Sequence, residues 1–114
     1  MGTESCPFET AIRGVVELLA RGEYLAVERL SAGIRLTAQE MAAAINEYGR
    51  HLIVPPSAAA APLDVIPHAD GGGWSVDVPL WTLEEGRSDL TLQLTVRREP
   101  DGGHRVEVDD LHVL

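Results

Sequence analysis

The consecutive segments Trp74–Trp81 (WSVDVPLW), Thr82–Asp89 (TLEEGRSD) and Leu90–Leu94 (LTLQL) decide the fold. Trp74, Val76, Val78 and Leu80 alternate with Ser75, Asp77, Pro79 and Trp81. Leu90, Leu92, Leu94 and Val96 alternate with Thr91, Gln93, Thr95 and Arg97. Successive side chains of a strand point to opposite faces, so both runs predict half-buried β-strands. TLEEGRSD is read as the loop between them. Pro79 has no N–H to give a ladder, so its end of the strand is expected at an edge or a bulge.

Downstream, Pro100-Asp-Gly-Gly103 predicts a hairpin turn, and Val106 and Val108 continue the alternation. Leu111 and Val113 are out of phase with that face, so a β-bulge is predicted near Asp109-Asp110. Upstream, Asp70-Gly-Gly-Gly73 predicts a turn and Leu63–Ile66 a short strand.

Earlier still the period changes to helical. Phe8, Ile12, Val15, Val16 and Leu19 form one apolar stripe, and Gly22 interrupts or ends that helix. Tyr24–Leu30 reads as a second short helix anchored by Leu25 and Leu30, with Gly33 as its stop. Thr37-Ala-Gln-Glu40 is a capping box opening a third helix, with Met41, Ala44, Ile45 and Tyr48 on one face and Gly49 as its C-cap. His51–Val54 is a short apolar exit, and Pro55-Pro56 blocks further helix.

This order predicts an α+β domain, with N-terminal helices packed on one face of a C-terminal antiparallel meander of three to four strands. The 114 residues suit a single domain. Its expected parts are an arm (1–7), a helical part (8–50), an Ala/Pro loop (55–62) and a sheet (63–114). Hydrophobic residues make up 45% of the chain, enough for one core without a metal or disulfide staple. Cys6 is the single cysteine, which excludes an intrachain disulfide and fits a reducing compartment.

Nine Lys and Arg against 18 Asp and Glu give a net charge of −9. Such a field repels phosphate backbones, so nucleic acid is not an expected partner. No apolar run approaches the roughly 20 residues of a membrane span, and the opening residues show no secretory pattern. No membrane role and a cytoplasmic location are expected.

The loop concentrates Glu84, Glu85, Arg87 and Asp89 beside Trp81. One reading makes these five residues a recognition surface for a protein partner of basic charge, or for a second copy of the chain. The other pairs the loop charges with one another and with the turn backbone, and twists Trp81 into the core. No catalytic constellation stands out. Glu84 and Glu85 need not converge, Ser88 lacks a nucleophile-elbow frame, and Gly71–Gly73 opens a strand where a phosphate loop opens a helix. His51, His68, His104 and His112 lack a metal-ligand spacing, so neither metal nor cofactor is expected.

WSVDVPLWTLEEGRSDLTLQLTV, the terminal VEVDDLHVL and LTAQEMAAAINEYGRHLIVPP resemble a family of small uncharacterised bacterial domains. That family has no assigned activity, so the resemblance transfers no catalytic residue. The order of helices and curved sheet is also similar to NTF2-like cups. The first functional expectation is therefore a non-enzymatic interaction or accessory domain, of the immunity type, acting on a basic partner. The alternative is a small-molecule-binding or catalytic cup lined by Trp74 and Tyr48, with Asp77, His51 and His112 as its polar groups.

Overall fold

Strand Gly73–Thr82 (β3) carries pairing on both of its edges. The computed structural model describes residues 9–31, 36–55 and 64–113. The arm, Gly33 and most of the Ala/Pro loop lie outside them. One edge of β3 pairs antiparallel with Gly86–Arg98 (β4), which pairs in turn with His104–Val113 (β5). The other edge pairs near one end with Leu52–Ile53 (β1) and near the other with Asp64–Pro67 (β2). β1 meets Trp81 and Thr82, whereas β2 meets Trp74–Asp77. Pro79 falls between these two pairings, where its missing N–H costs neither ladder a bond. Among the described residues the sheet thus has five strands. The addition is β1, within a stretch read above as a plain exit from the third helix.

Both strand irregularities have a physical role. On β5, Gln93 faces Asp110 but the neighbouring Leu94 faces Val108, so Asp109 is the extra residue. That bulge lies where the phase slip predicted it, and it returns Leu111 to the core, 5% exposed. The second irregularity was not foreseen. Pro79 faces Thr91 and Trp81 faces Arg87, so Ser88, Asp89 and Leu90 together oppose Leu80. The loop reading of residues 82–89 is corrected accordingly. Only Leu83–Glu85 form the turn, and β4 already begins at Gly86. The buried Ser88 side chain serves the widened ladder. Its Oγ donates to the Leu80 carbonyl (2.8 Å) and accepts from the Leu90 N–H (3.2 Å).

Three helices cover one face: Glu9–Ala20 (α1), Tyr24–Leu30 (α2) and Ala38–Tyr48 (α3). Ile12, Val15, Val16 and Leu19 of α1 are buried at i, i+3, i+4 and i+7, matching the predicted stripe. α1 closes in a Schellman arrangement. The Gly22 N–H bonds the Leu19 carbonyl, the Glu23 N–H bonds that of Leu18, and Gly22 takes φ +78°. In α2 the expected anchors are corrected. Leu25 and Leu30 are 53% and 51% exposed, and Val27 is the fully buried residue. A helix of seven residues presents one narrow face, and Val27 with Tyr24 occupies it. α3 has the predicted capping box, with the Glu40 N–H on Thr37 Oγ1 and the Thr37 N–H on Glu40 Oε1, and it ends at Gly49.

Helix residues Met41, Ile45 and Val27 join Val76, Val78, Leu80, Leu90, Leu92, Leu94, Val96, Val106 and Val108 in one buried cluster. Each large aliphatic side chain so buried contributes roughly 1.5–3 kcal/mol relative to exposure. These side chains pack between helices and sheet, where a cup would have its hollow.

Candidate functional site

The β3–β4 tip is held by side chains from the end of α3. The Tyr48 hydroxyl lies 2.8 and 3.0 Å from the two carboxylate oxygens of Glu85 and donates to that group. Thr82 Oγ1 donates to Glu85 Oε1 and accepts the Glu85 N–H, both at 3.0 Å. Glu84 Oε1 accepts the His51 N–H at 2.9 Å, and its Oε2 lies 2.5 Å from His51 Nδ1. The Leu83 N–H donates to the His51 carbonyl at 2.8 Å. These contacts have electrostatic consequences. The His51 N–H, and after it the His51 ring, lower the Glu84 pKa to about 2. Burial, and next the hydrogen bond to Glu85, push the Tyr48 hydroxyl up. Glu85 therefore fastens the hairpin to the end of α3, and Glu84 fastens it to the segment between α3 and β1. Besides Thr82, their partners lie far back in the chain, at Tyr48 and His51, where the two readings of the sequence were a recognition surface and pairing within the loop.

Trp81, Arg87 and Asp89 lie elsewhere. The bulge preserves strand parity, so Trp81 and Arg87 face each other on the side of the sheet opposite the helices. Ile53 of β1 flanks Trp81 on its other edge. Trp81 is half-buried, and its buried indole N–H has no acceptor among the described residues. A Cβ on Gly86 would stand 3.7 Å from the ring, so the glycine leaves the indole room to lie against the backbone. Leu83, 70% exposed, caps the same end of the sheet.

Cross-strand register orders this outer face into rows. Beyond Trp81 and Arg87 comes Pro79–Thr91–His112, then Asp77–Gln93–Asp110, then Ser75–Thr95–Glu107. Arg97 and Arg105 follow at the far end. Gln93 donates to Asp77 at 3.3 Å, and Thr95 donates to bulged Asp109 at 2.5 Å. Asp110 lies 3.2 Å from His112 Nδ1. Glu107 holds Arg97 Nε at 3.3 Å and Arg105 Nη2 at 3.8 Å. The far-end arginines are thus matched by Glu107, while Asp77, Asp89, Asp109 and Asp110 leave the middle of the face acidic. Neither the rows nor Ile53 was evident from the sequence. Strand alternation assigns residues to faces, but only register assigns them to rows.

The five residues of the alternative cup occupy three separate places. Trp74 packs toward the core at the far end of β3, with its ring 5.6 Å from that of His104 and the Arg98 guanidinium 4.5 Å above it. Tyr48 and His51 lie at the hairpin tip, roughly 25 Å away along the strand at about 3.3 Å per residue. Asp77 and His112 belong to the outer face. Tyr48 and His112 do border one shallow groove of about 360 Å³, together with Ala44, Leu90 and Leu111. Among the described residues no group of three His, Cys, Asp or Glu could hold a metal ion. Nor is any described helix long and apolar enough to cross a membrane.

Residues 16–114 match the family model described as Domain of unknown function (DUF7668). No curated protein and no solved structure matches the chain.

Proposed function

The chain belongs to this family of unknown function, and we propose that it is a non-enzymatic interaction module, an accessory or immunity-type protein, whose outer sheet face receives a basic protein partner. One observation carries the reading. Trp81 lies on the face that no described helix covers, at the border between an apolar end and rows of carboxylates. Tryptophan and arginine are enriched at interface hot spots, and here Trp81 faces Arg87. Among the described residues its N–H has no acceptor, which leaves that donor for a group brought by the partner. Asp77, Asp89, Asp109 and Asp110 supply attraction and orientation for a cationic surface. Within this reading Glu84 and Glu85 keep the tip rigid, and Arg87 and Asp89 contribute direct contacts.

Affinity capture with the full chain, followed by titration calorimetry on the captured partner, tests the reading. Trp81→Ala should weaken binding by about 2 kcal/mol, the threshold of a hot spot. Asp77→Asn with Asp110→Asn should mainly slow association and flatten its salt dependence. Unchanged affinity in the tryptophan variant, with its fold intact by circular dichroism, would move the interface away from this face.

A further inference from the structure

On the helical side of the molecule, α1, α2 and the β4–β5 turn enclose a groove of about 590 Å³. We propose that this groove is a second binding site, for a small organic cation with an apolar body, of the alkylamine or arylamine class. The volume is within the range of small-ligand sites. Its apolar lining is Leu18, Leu30 and Val106, and Leu30 leaves half of its surface open there. Gly14 of α1 also borders the groove, and a Cβ at that position would meet nothing within 4 Å. A glycine inside a helix costs roughly 1 kcal/mol against alanine. No packing in the described structure requires this one, and its effect is to widen the groove.

The charge of the ligand follows from the walls. Glu17 stands on the α1 side and Glu99 on the turn side. Neither carboxylate has a hydrogen-bond or ion-pair partner among the described residues. Arg105 and His104 also reach the groove, but the Arg105 guanidinium is directed to Glu107 at 3.8 Å and the His104 ring packs 5.6 Å from that of Trp74. An ammonium group between Glu17 and Glu99, with its hydrocarbon along Leu18, Leu30 and Val106, satisfies both kinds of surface. Buried apolar area supplies affinity and the two carboxylates select the sign of charge.

Octylamine, octanol and octanoate, equal in chain length and different in charge, are the probes. They are titrated into the isotopically labelled full chain and followed by amide NMR shifts. Octylamine should move the amides of Gly14, Leu18, Leu30 and Val106 and bind about tenfold more tightly than octanoate, a difference of about 1.4 kcal/mol. Glu17→Gln with Glu99→Gln should bring octylamine to the affinity of octanol. Gly14→Leu, whose side chain enters open space, should fold normally and bind none of the three. Octanoate binding as well as octylamine, shifts confined to other residues, no binding by the wild type, or full binding by folded Gly14→Leu would each overturn the proposal.

Discussion

Replacing Ser88 by alanine should cost this fold more than any other loss of one oxygen atom on β4. Ser88 is 7% exposed and sits inside the widened stretch opposite Leu80. Its hydroxyl satisfies the Leu80 carbonyl at 2.8 Å and the Leu90 N–H at 3.2 Å. Alanine leaves both backbone groups without that partner, in a position where water has little access. An orphaned buried polar group costs about 1–3 kcal/mol, so the pair should cost about 2–6 kcal/mol. Unfolding entropy of about 2.1 cal/mol/K per residue makes 1 kcal/mol worth ~4 °C for a chain of this length. The expected fall in Tm is therefore ~8–24 °C, measured by scanning calorimetry with urea denaturation as a check. Thr91→Val is the control, because the Thr91 hydroxyl makes a single long bond of 3.4 Å to the Asp89 carbonyl. It should shift Tm by less than about 4 °C. A fall below about 2 °C for Ser88→Ala would show that the bulge does not depend on the hydroxyl, and the account of β4 would be wrong.

Gly73→Ala places a Cβ well inside van der Waals contact with the Val96 carbonyl oxygen, so β3 and β4 must part. It should cost more than about 3 kcal/mol by urea denaturation, and a near-neutral value would contradict the pairing. Thr37→Ala removes the capping box of α3 and should cost about 1 kcal/mol, read in the same assay. Glu84 carries the pH signature. Its folded pKa of about 2 lies below the usual 4.5, so its stabilisation is complete above 4.5 and is lost as pH falls through about 2. The stability gap between wild type and Glu84→Gln should be present at neutral pH and close across that window. A gap of equal size at the acid end would mean that the Glu84 charge is not what holds His51.

The sequence was informative wherever local periodicity carried the signal. The alternation through Trp74–Leu80 and Leu90–Val96 assigned both central strands and their inward faces. The phase slip after Val108 located the Asp109 bulge, and Thr37 with Glu40 located the start of α3. Features set by distant partners were not legible. Tyr48 and His51 reach Glu85 and Glu84 across 37 and 33 positions, so neither reading of the acidic loop, as a recognition surface or as a self-paired turn, foresaw a tip tethered to them. The bulge opposite Leu80 has no marker in the alternation. Ser88 and Leu90 keep the parity of the strand while two extra residues are absorbed. Leu25 and Leu30 were misread as anchors because apolar character alone does not orient a helix of two turns. Alternation alone left Trp81 open between the outer face and a Pro79-driven twist into the core, and register places it outside, with Ile53 and Gly86 as its neighbours.

The most direct test of the interaction reading is site-specific photo-crosslinking. A photoreactive residue is placed at Gln93, in the central acidic row, or at Gln39, exposed on α3. Both versions of the full chain are irradiated with the captured partner. The account predicts crosslinks from position 93, lost on Trp81→Ala, and none from position 39. Crosslinks from position 39 alone would place the partner on the helical layer and contradict the assignment of the outer sheet face.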